Sequence, residues 1–193
     1  MGLTPLEGLI MGTRSGDVDP TLAGYLARRE GVEIAEVVRW LNKRSGLLGV
    51  SGISRDMREL LTAKGRGNER AAQAVEMFCY RVTKQVGAYL AALGGADAVI
   101  FAGGIGENAP EVRAEICSGM EWCGLALDPE RNTRAVGEVA RISADSAPVE
   151  VYVIPVDEAA IIARDTVDCL LRRNHTSVPS RSGQETRTGQ RRA

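Results

Sequence analysis

The sequence predicts an α/β chain in which helices pack on a sheet, and three observations carry that expectation. A long apolar stripe at helical period ends at Gly94-Gly95. Two short apolar or β-branched runs each lead into a helical pattern, and helix and strand signals alternate through the second half of the chain. At 193 residues, 44% hydrophobic and 25% charged, the chain suits one core, or one core with an appendage.

The stretch Met1 to Pro20 mixes glycines with Pro5, Pro20 and short apolar runs, so it is expected to be irregular and partly buried. From Glu33 to Asn42, Ile34, Val37, Val38 and Leu41 recur at helical spacing, with Gly46 as a stop. Ser54 is expected to cap a second helix that turns Met57, Leu60 and Leu61 inward and ends at Gly65. The clearest helix spans Glu69 to Leu93, where Val75, Phe78, Cys79, Val82, Val86, Tyr89, Leu90 and Leu93 form the stripe. Ala98 to Ala102 reads as a strand covered on both faces, because it never alternates with polar residues. Gly103 to Asn108 is expected to turn the chain, and Pro110 suits the first turn of a helix running to about Cys117.

Val136 to Ile142 is a candidate strand, Val149 to Pro155 a firmer one rich in β-branched residues, and Asp157 to Leu171 a helix with Ile161, Ile162, Val167 and Leu170 turned inward. Beyond Leu171 almost no large apolar residue remains. Residues 1–171 are therefore expected to form the folded lobe, and 172–193 a disordered basic tail.

The 24 basic and 25 acidic side chains nearly cancel, which disfavours a nucleic-acid or anionic-membrane binder. Six arginines and one acid lie in Arg172 to Ala193, leaving residues 1–171 with a net charge of −6. The one histidine, His175, is also in that stretch, so imidazole chemistry is excluded from the expected lobe. Cys79, Cys117, Cys123 and Cys169 form no CxxC pair and are expected to be reduced, interior thiols. No apolar run is long enough to span a bilayer and no export signal opens the chain; the expected location is cytoplasmic.

Four strings could carry chemistry. Phe101 to Pro110 runs from a strand into glycines and a helix start, a turn that can bring backbone amides to a nucleotide. Gly104, Gly106 and Ala109 also stand at the spacing of a degenerate dinucleotide fingerprint, with Asp128 about 20 residues on, and an ordinary tight turn is a third reading. Arg14, among the small residues of Gly12 to Gly16, can present a planar donor fork to phosphate or carboxylate, or be a plain surface arginine. Asp56 and Arg58 open a helix where they can contact a base or ribose, or simply serve as a cap. Asp157 and Glu158 sit where a strand yields to a helix, as magnesium-type carboxylates or as caps.

The strings MGLTPLEGLIMGTRSGDVDP, SGISRDMREL, FAGGIGENAPEVR and VIPVDE, in this order, closely resemble segments of the acetate kinase family. The resemblance covers residues 1 to about 171 and makes the dinucleotide spacing a coincidence. It implies the actin-like ATPase (ribonuclease H-like) fold of sugar kinases, actin and the heat-shock chaperones. It also implies the reversible, Mg2+-dependent reaction of ATP and acetate to ADP and acetyl phosphate. Carried over by motif, Arg14 resembles the catalytic arginine and Pro5 a proline of the acyl pocket. Asp56 and Arg58, with Met57 between them, resemble the adenosine-contacting segment, and Gly104, Ile105, Gly106, Glu107 and Asn108 the loop behind adenine and ribose. Glu158 resembles the magnesium-associated glutamate, although Ala159 stands where the family commonly has a second Glu.

The family is considerably longer at the amino end. The part without a counterpart here would hold a magnesium-linked Asn, a second substrate-binding Arg, the proposed catalytic Asp, the transition-state His and a phosphate-binding HLGNG loop. The chain therefore looks like the carboxyl-terminal, nucleotide-side lobe, expected to be inactive alone. The partners implied are ATP or ADP and acetate, with a second copy or a complementary amino-terminal chain as protein partner. A non-catalytic nucleotide-binding or assembly module and a propionate or butyrate kinase piece are the alternatives.

Overall fold

The structure, a computed structural model, describes residues 2–175, without the side chains of 158 and 172–175. It divides into two units, Met1–Pro155 and Val156–Ala193.

The first unit opens with an irregular segment, as its glycines and prolines predict. Helix α1 follows at Leu22–Glu30 and α2 at Ile34–Lys43. They bury Ala27, Val37 and Leu41 against each other, with Leu6, Leu26 and Trp40 packed around them. Gly46 does not stop the chain. It opens α3, Gly46–Ser51, at φ +64, and a Cβ built there would lie 2.1 Å from the Met11 carbonyl oxygen. That close approach is what requires glycine.

Helix α4, Met57–Gly65, is capped by Asp56 rather than Ser54: Asp56 Oδ1 accepts from the Arg58 N–H at 2.9 Å. Ser54 Oγ instead accepts from the Asp56 N–H at 3.0 Å. Helix α5, Glu69–Leu93, is capped by Asn68 and ends at Gly94 in the left-handed region. Its stripe buries Ala71, Ala74, Val75, Cys79 and Leu90, whereas Tyr89 and Leu93 at its end are exposed.

Strand β1, Ala98–Phe101, leads to α6, Gly103–Asn108, then α7, Pro110–Cys117, and α8, Pro129–Arg134, which Asp128 caps. Strand β2 is only Ala140–Arg141, shorter than its apolar run predicts, and β3 is Glu150–Val153. The sheet order is β1-β3-β2: β1 runs parallel to β3, pairing Ala98 with Glu150 through Phe101 with Val153, and β2 is antiparallel to β3. Phe101, Val151 and Val153 face a core shared with Leu47, Leu60, Val75, Val112, Ile116, Leu125 and Ile142. The expectation that β1 is covered on both faces is corrected, because Ile100 is 57% exposed. An all-apolar run marks hydrophobicity on both faces of a strand, not what lies on each.

The second unit contains α9, Glu158–His175, opened by Asp157, whose Oδ1 accepts from the Ala160 N–H at 2.9 Å. Ile161, Ile162, Val167 and Leu170 are exposed rather than inward, and so is Cys169. A periodic stripe identifies an apolar face without supplying its cover. The helix continues to His175, past residue 171 where order was expected to end. Residues 176–193 of the expected tail lie outside the described residues. Among the described residues no helix is long and apolar enough to cross a membrane.

Candidate functional site

The loop that carries Arg14 is held from several sides. The first amides of α3, Leu47 and Leu48, donate to the Met11 and Gly12 carbonyls, each at 2.9 Å, and Ser45 donates to Thr13 at 3.0 Å. Ser15 donates to Leu41 at 2.9 Å, and Met11 to Arg14 at 3.1 Å. The open N–H groups of a helix start thus fix a loop that has no regular structure of its own. Arg14 itself is half-buried. Its Nη1 lies 3.7 Å from the Met11 sulfur, and no carboxylate pairs with it among the described residues.

A cleft of about 730 Å³ lies between two segments far apart in sequence, the start of α4 and the α6–α7 junction. Arg55, Asp56, Met57 and Arg58 line one side, and Gly104, Ile105, Asn108 and Ala109 the other. Asp56 holds Arg58 with both oxygens, Oδ1 to Nε at 3.0 Å and Oδ2 to Nη2 at 2.5 Å. These charge-assisted bonds, with the Arg58 backbone N–H, hold the Asp56 carboxyl down to about 2. The pair presents an internally neutral, hydrogen-bonding edge to the cleft.

Across the cleft one amide of the glycine string is already taken. Helix α6 is a short turn, and Glu107 Oε1 already accepts from the Gly103 N–H at 2.8 Å. Asn108 Nδ2 donates back to the Gly104 carbonyl at 3.0 Å. A Cβ at Gly104 would meet nothing within 4 Å, so a side chain there would project into open space, whereas one at Gly106 would press on Phe101 at 3.3 Å. Gly106 and Glu107 therefore shape the turn from behind and are not among the residues lining the cleft. The dinucleotide spacing is corrected too: Asp128 caps α8 through the Glu130 and Arg131 amides, at 3.0 and 2.9 Å.

The residue that sequence reasoning missed is Arg113. It is fully buried, and its guanidinium donates to neutral acceptors alone. Nε reaches Asn132 Oδ1 at 2.8 Å, and Nη2 reaches the Asn132 and Ala135 carbonyls at 2.7 Å each. Nη1 reaches the Gly106 carbonyl at 2.8 Å and that of Glu107 at 3.2 Å. Burial lowers its pKa. It ties the α6 turn behind the cleft to α8. A signal was present: Arg113, Ile116 and Cys117 stand at i, i+3, i+4, which places the arginine on an apolar face.

Of the expected site residues, Asp56, Met57, Arg58, Gly104, Ile105 and Asn108 meet in this cleft. Arg14 and Pro5 are not among its lining residues, and Pro5 is exposed. The Arg14 loop nevertheless touches its margin: a Cβ at Gly12 would lie 3.0 Å from the Arg55 carbonyl oxygen and 3.3 Å from Arg55 Cβ. Glu158 is the first residue of α9 in the second unit. Among the described residues no group of three His, Cys, Asp or Glu could cage a metal ion.

The model of the acetokinase family matches residues 1–164. The chain belongs to the acetokinase family. It is 52% identical to the acetate kinase of Solibacter usitatus over 176 residues, 91% of this chain and 42% of that protein. The crystal structure of Porphyromonas gingivalis acetate kinase superposes with a TM-score of 0.83 at 47% identity, over 88% of this chain and 43% of that one. A propionate kinase from Francisella tularensis gives a TM-score of 0.79 at 39% identity, over 86% and 42%. The acetokinase chain thus spans less than half the length of these relatives. Its α/β fold, a small sheet with packed helices, is the partial actin-like ATPase fold that the motifs implied.

Proposed function

We propose that the cleft between Asp56–Arg58 and Gly104–Asn108 is the adenine nucleotide site of an acetate kinase-type phosphotransferase. The reaction is ATP plus acetate to ADP plus acetyl phosphate, and its reverse. An acetate oxygen bonds to the γ-phosphorus as the bond from phosphorus to the ADP oxygen breaks. The observation that carries the proposal is the meeting of two motif segments of an acetokinase in one cleft. Asp56 and Arg58 offer polar contacts to ribose or base, Met57 and Ile105 an apolar wall, and Gly104 an unobstructed approach. Gly106 and Glu107 keep the turn in shape.

Arg14 is proposed to hold the transferring phosphoryl group, because a guanidinium without a carboxylate partner can meet charge on equatorial oxygens. Pro5 is assigned to the acyl pocket by family motif. Bound Mg2+ would neutralise phosphate charge. Glu158 is assigned to that ion by family motif alone, its neighbour Asp157 being the cap of α9. Four thiols without a disulfide agree with a cytoplasmic setting.

Turnover is assigned to this lobe together with the remaining length of its relatives, in one chain or in a complementary one. Phosphoryl transfer depends on positioning from several sides. A propionate kinase among the structural neighbours favours acyl-chain length as the open variable of substrate choice, since one methylene discriminates by only about 1–3 kcal/mol.

Calorimetric titration of the purified chain with ADP tests the site. Binding that Gly104→Arg abolishes is the expected result, and absence of heat with the unaltered chain refutes it. A hydroxamate assay with acetate, ATP and hydroxylamine is expected to show no Arg14-dependent product from this chain alone.

A further inference from the structure

We propose that Arg55 is the residue of this cleft that contacts the nucleotide's polyphosphate, so that the cleft prefers nucleoside di- and triphosphates to the bare nucleoside. The proposal rests on the nucleotide reading above and adds a residue that the motif did not assign.

Three charged residues line the cleft, Arg55, Asp56 and Arg58. Both oxygens of Asp56 are committed to Arg58, so those two charges cancel locally. Glu59, the next acid along the chain, lines a separate depression with Ile53, Thr62, Ala63, Arg66, Gly67 and Asn68. Arg55 is exposed and has no hydrogen bond or ion pair among the described residues. The net positive charge of the lining is therefore the charge of Arg55.

Its position gives that charge a use. The Arg55 backbone is the surface on which Gly12 packs, with its oxygen and Cβ 3.0 and 3.3 Å from a Cβ built on Gly12. Arg55 thus stands between the cleft and the loop that presents Arg14. A nucleotide with its base and ribose between Asp56–Arg58 and Gly104–Asn108, and its terminal phosphoryl directed to Arg14, must carry its inner phosphates past Arg55. A guanidinium offers a planar fork of donors that matches two phosphate oxygens, and an unpaired one gives up no existing partner to do so.

The test is calorimetric titration of the whole chain and its Arg55→Ala and Arg55→Lys variants with ADP and with adenosine, at low and high salt. Arg55 is exposed and without a partner, so neither substitution removes a structural contact. Arg55→Ala is expected to weaken ADP about tenfold while adenosine stays within about twofold, as for loss of a charged hydrogen bond. Arg55→Lys is expected to fall between, and the difference between the unaltered chain and Arg55→Ala to shrink as salt rises. An unchanged ADP affinity, or equal losses for ADP and adenosine, overturns the assignment while the nucleotide site stands. An unaltered chain that binds neither ligand overturns the nucleotide reading and this assignment with it.

Discussion

Replacing Arg113 by Met keeps the length and apolar stem of the side chain and removes every donor at its end. The guanidinium serves five acceptors: Asn132 Oδ1 and the carbonyls of Asn132, Ala135, Gly106 and Glu107. The Glu107 carbonyl keeps a second donor, the Gly137 N–H at 3.1 Å, which leaves the other four to lose a bond inside the protein. A buried acceptor left without a donor costs about 1–3 kcal/mol. Against this stands the relief of no longer burying a cation, the effect that lowers the Arg113 pKa. Four such losses outweigh that relief, and a net destabilisation of about 3–5 kcal/mol is expected. For a domain of this size that is a fall in midpoint temperature of roughly 6–20 °C. Urea unfolding followed by far-ultraviolet circular dichroism gives the number directly. Arg113→Lys should recover only part of the loss, because one ammonium cannot reach acceptors on both α6 and α8. A loss below about 1 kcal/mol for Arg113→Met would refute the reasoning, since it would mean that water or neighbouring donors replace the guanidinium.

Gly46→Ala is expected to destabilise by more than the ~1–2 kcal/mol of a left-handed alanine, because its Cβ would also meet the Met11 oxygen and the Arg14 backbone; a urea midpoint equal to that of the unaltered chain would refute the contact. The Asp56 carboxyl should titrate near pH 2 in a carbon-13 experiment, and Arg58→Ala should return it toward the ordinary carboxylate range. Because the folded pKa is the lower one, the contribution of this pair is complete above about pH 4 and fades as pH falls through about 2. Burial pushes the Cys79 and Cys117 thiols up to about 12, so iodoacetamide at pH 8 should label exposed Cys169 first and reach those two only after unfolding; early modification of Cys79 would contradict the packed core.

Where the chain repeats a strong period, its sequence was enough. Glu69–Leu93 declared itself because a stripe over seven turns has no competing pattern, and Pro110 and Gly94 mark real ends. Helix α3 was hidden because Gly46 has the residue type of a stop but the environment of a close contact, which depends on where Met11 and Arg14 come to lie. Helix α1 buries only Ala27, too little for a clear apolar face, and α8 contains no large apolar residue at all. The cleft was half legible. Motif order named Asp56, Met57, Arg58, Gly104, Ile105 and Asn108, but only the packing of α4, α5 and α7 on one core brings them together. Arg113 was overlooked because charge in a sequence is read as surface, and its neutral partners lie in or beside α6 and α8, two short helices with no apolar pattern of their own.

Four arginines around this site show how the fold divides work among identical side chains. Arg113 is buried with neutral acceptors filling its donor fork, so it can only hold structure. Arg58 is tied to a carboxylate whose proton is lost well below neutrality, and an anion arriving there would compete with Asp56 for the same donors. Arg55 and Arg14 lack a carboxylate partner among the described residues, and the loop carrying Arg14 packs on the backbone of Arg55. A phosphate chain gains most where no existing ion pair must be broken, so in the proposed nucleotide complex these two would meet it, Arg55 at the cleft and Arg14 beyond it. The consequence is a separation of effects. Loss of Arg55 should act on ground-state affinity for phosphorylated nucleotides, and loss of Arg14 on the transferring group in a complete enzyme. Loss of Arg113 should act on both, through the stability of the turn behind the cleft.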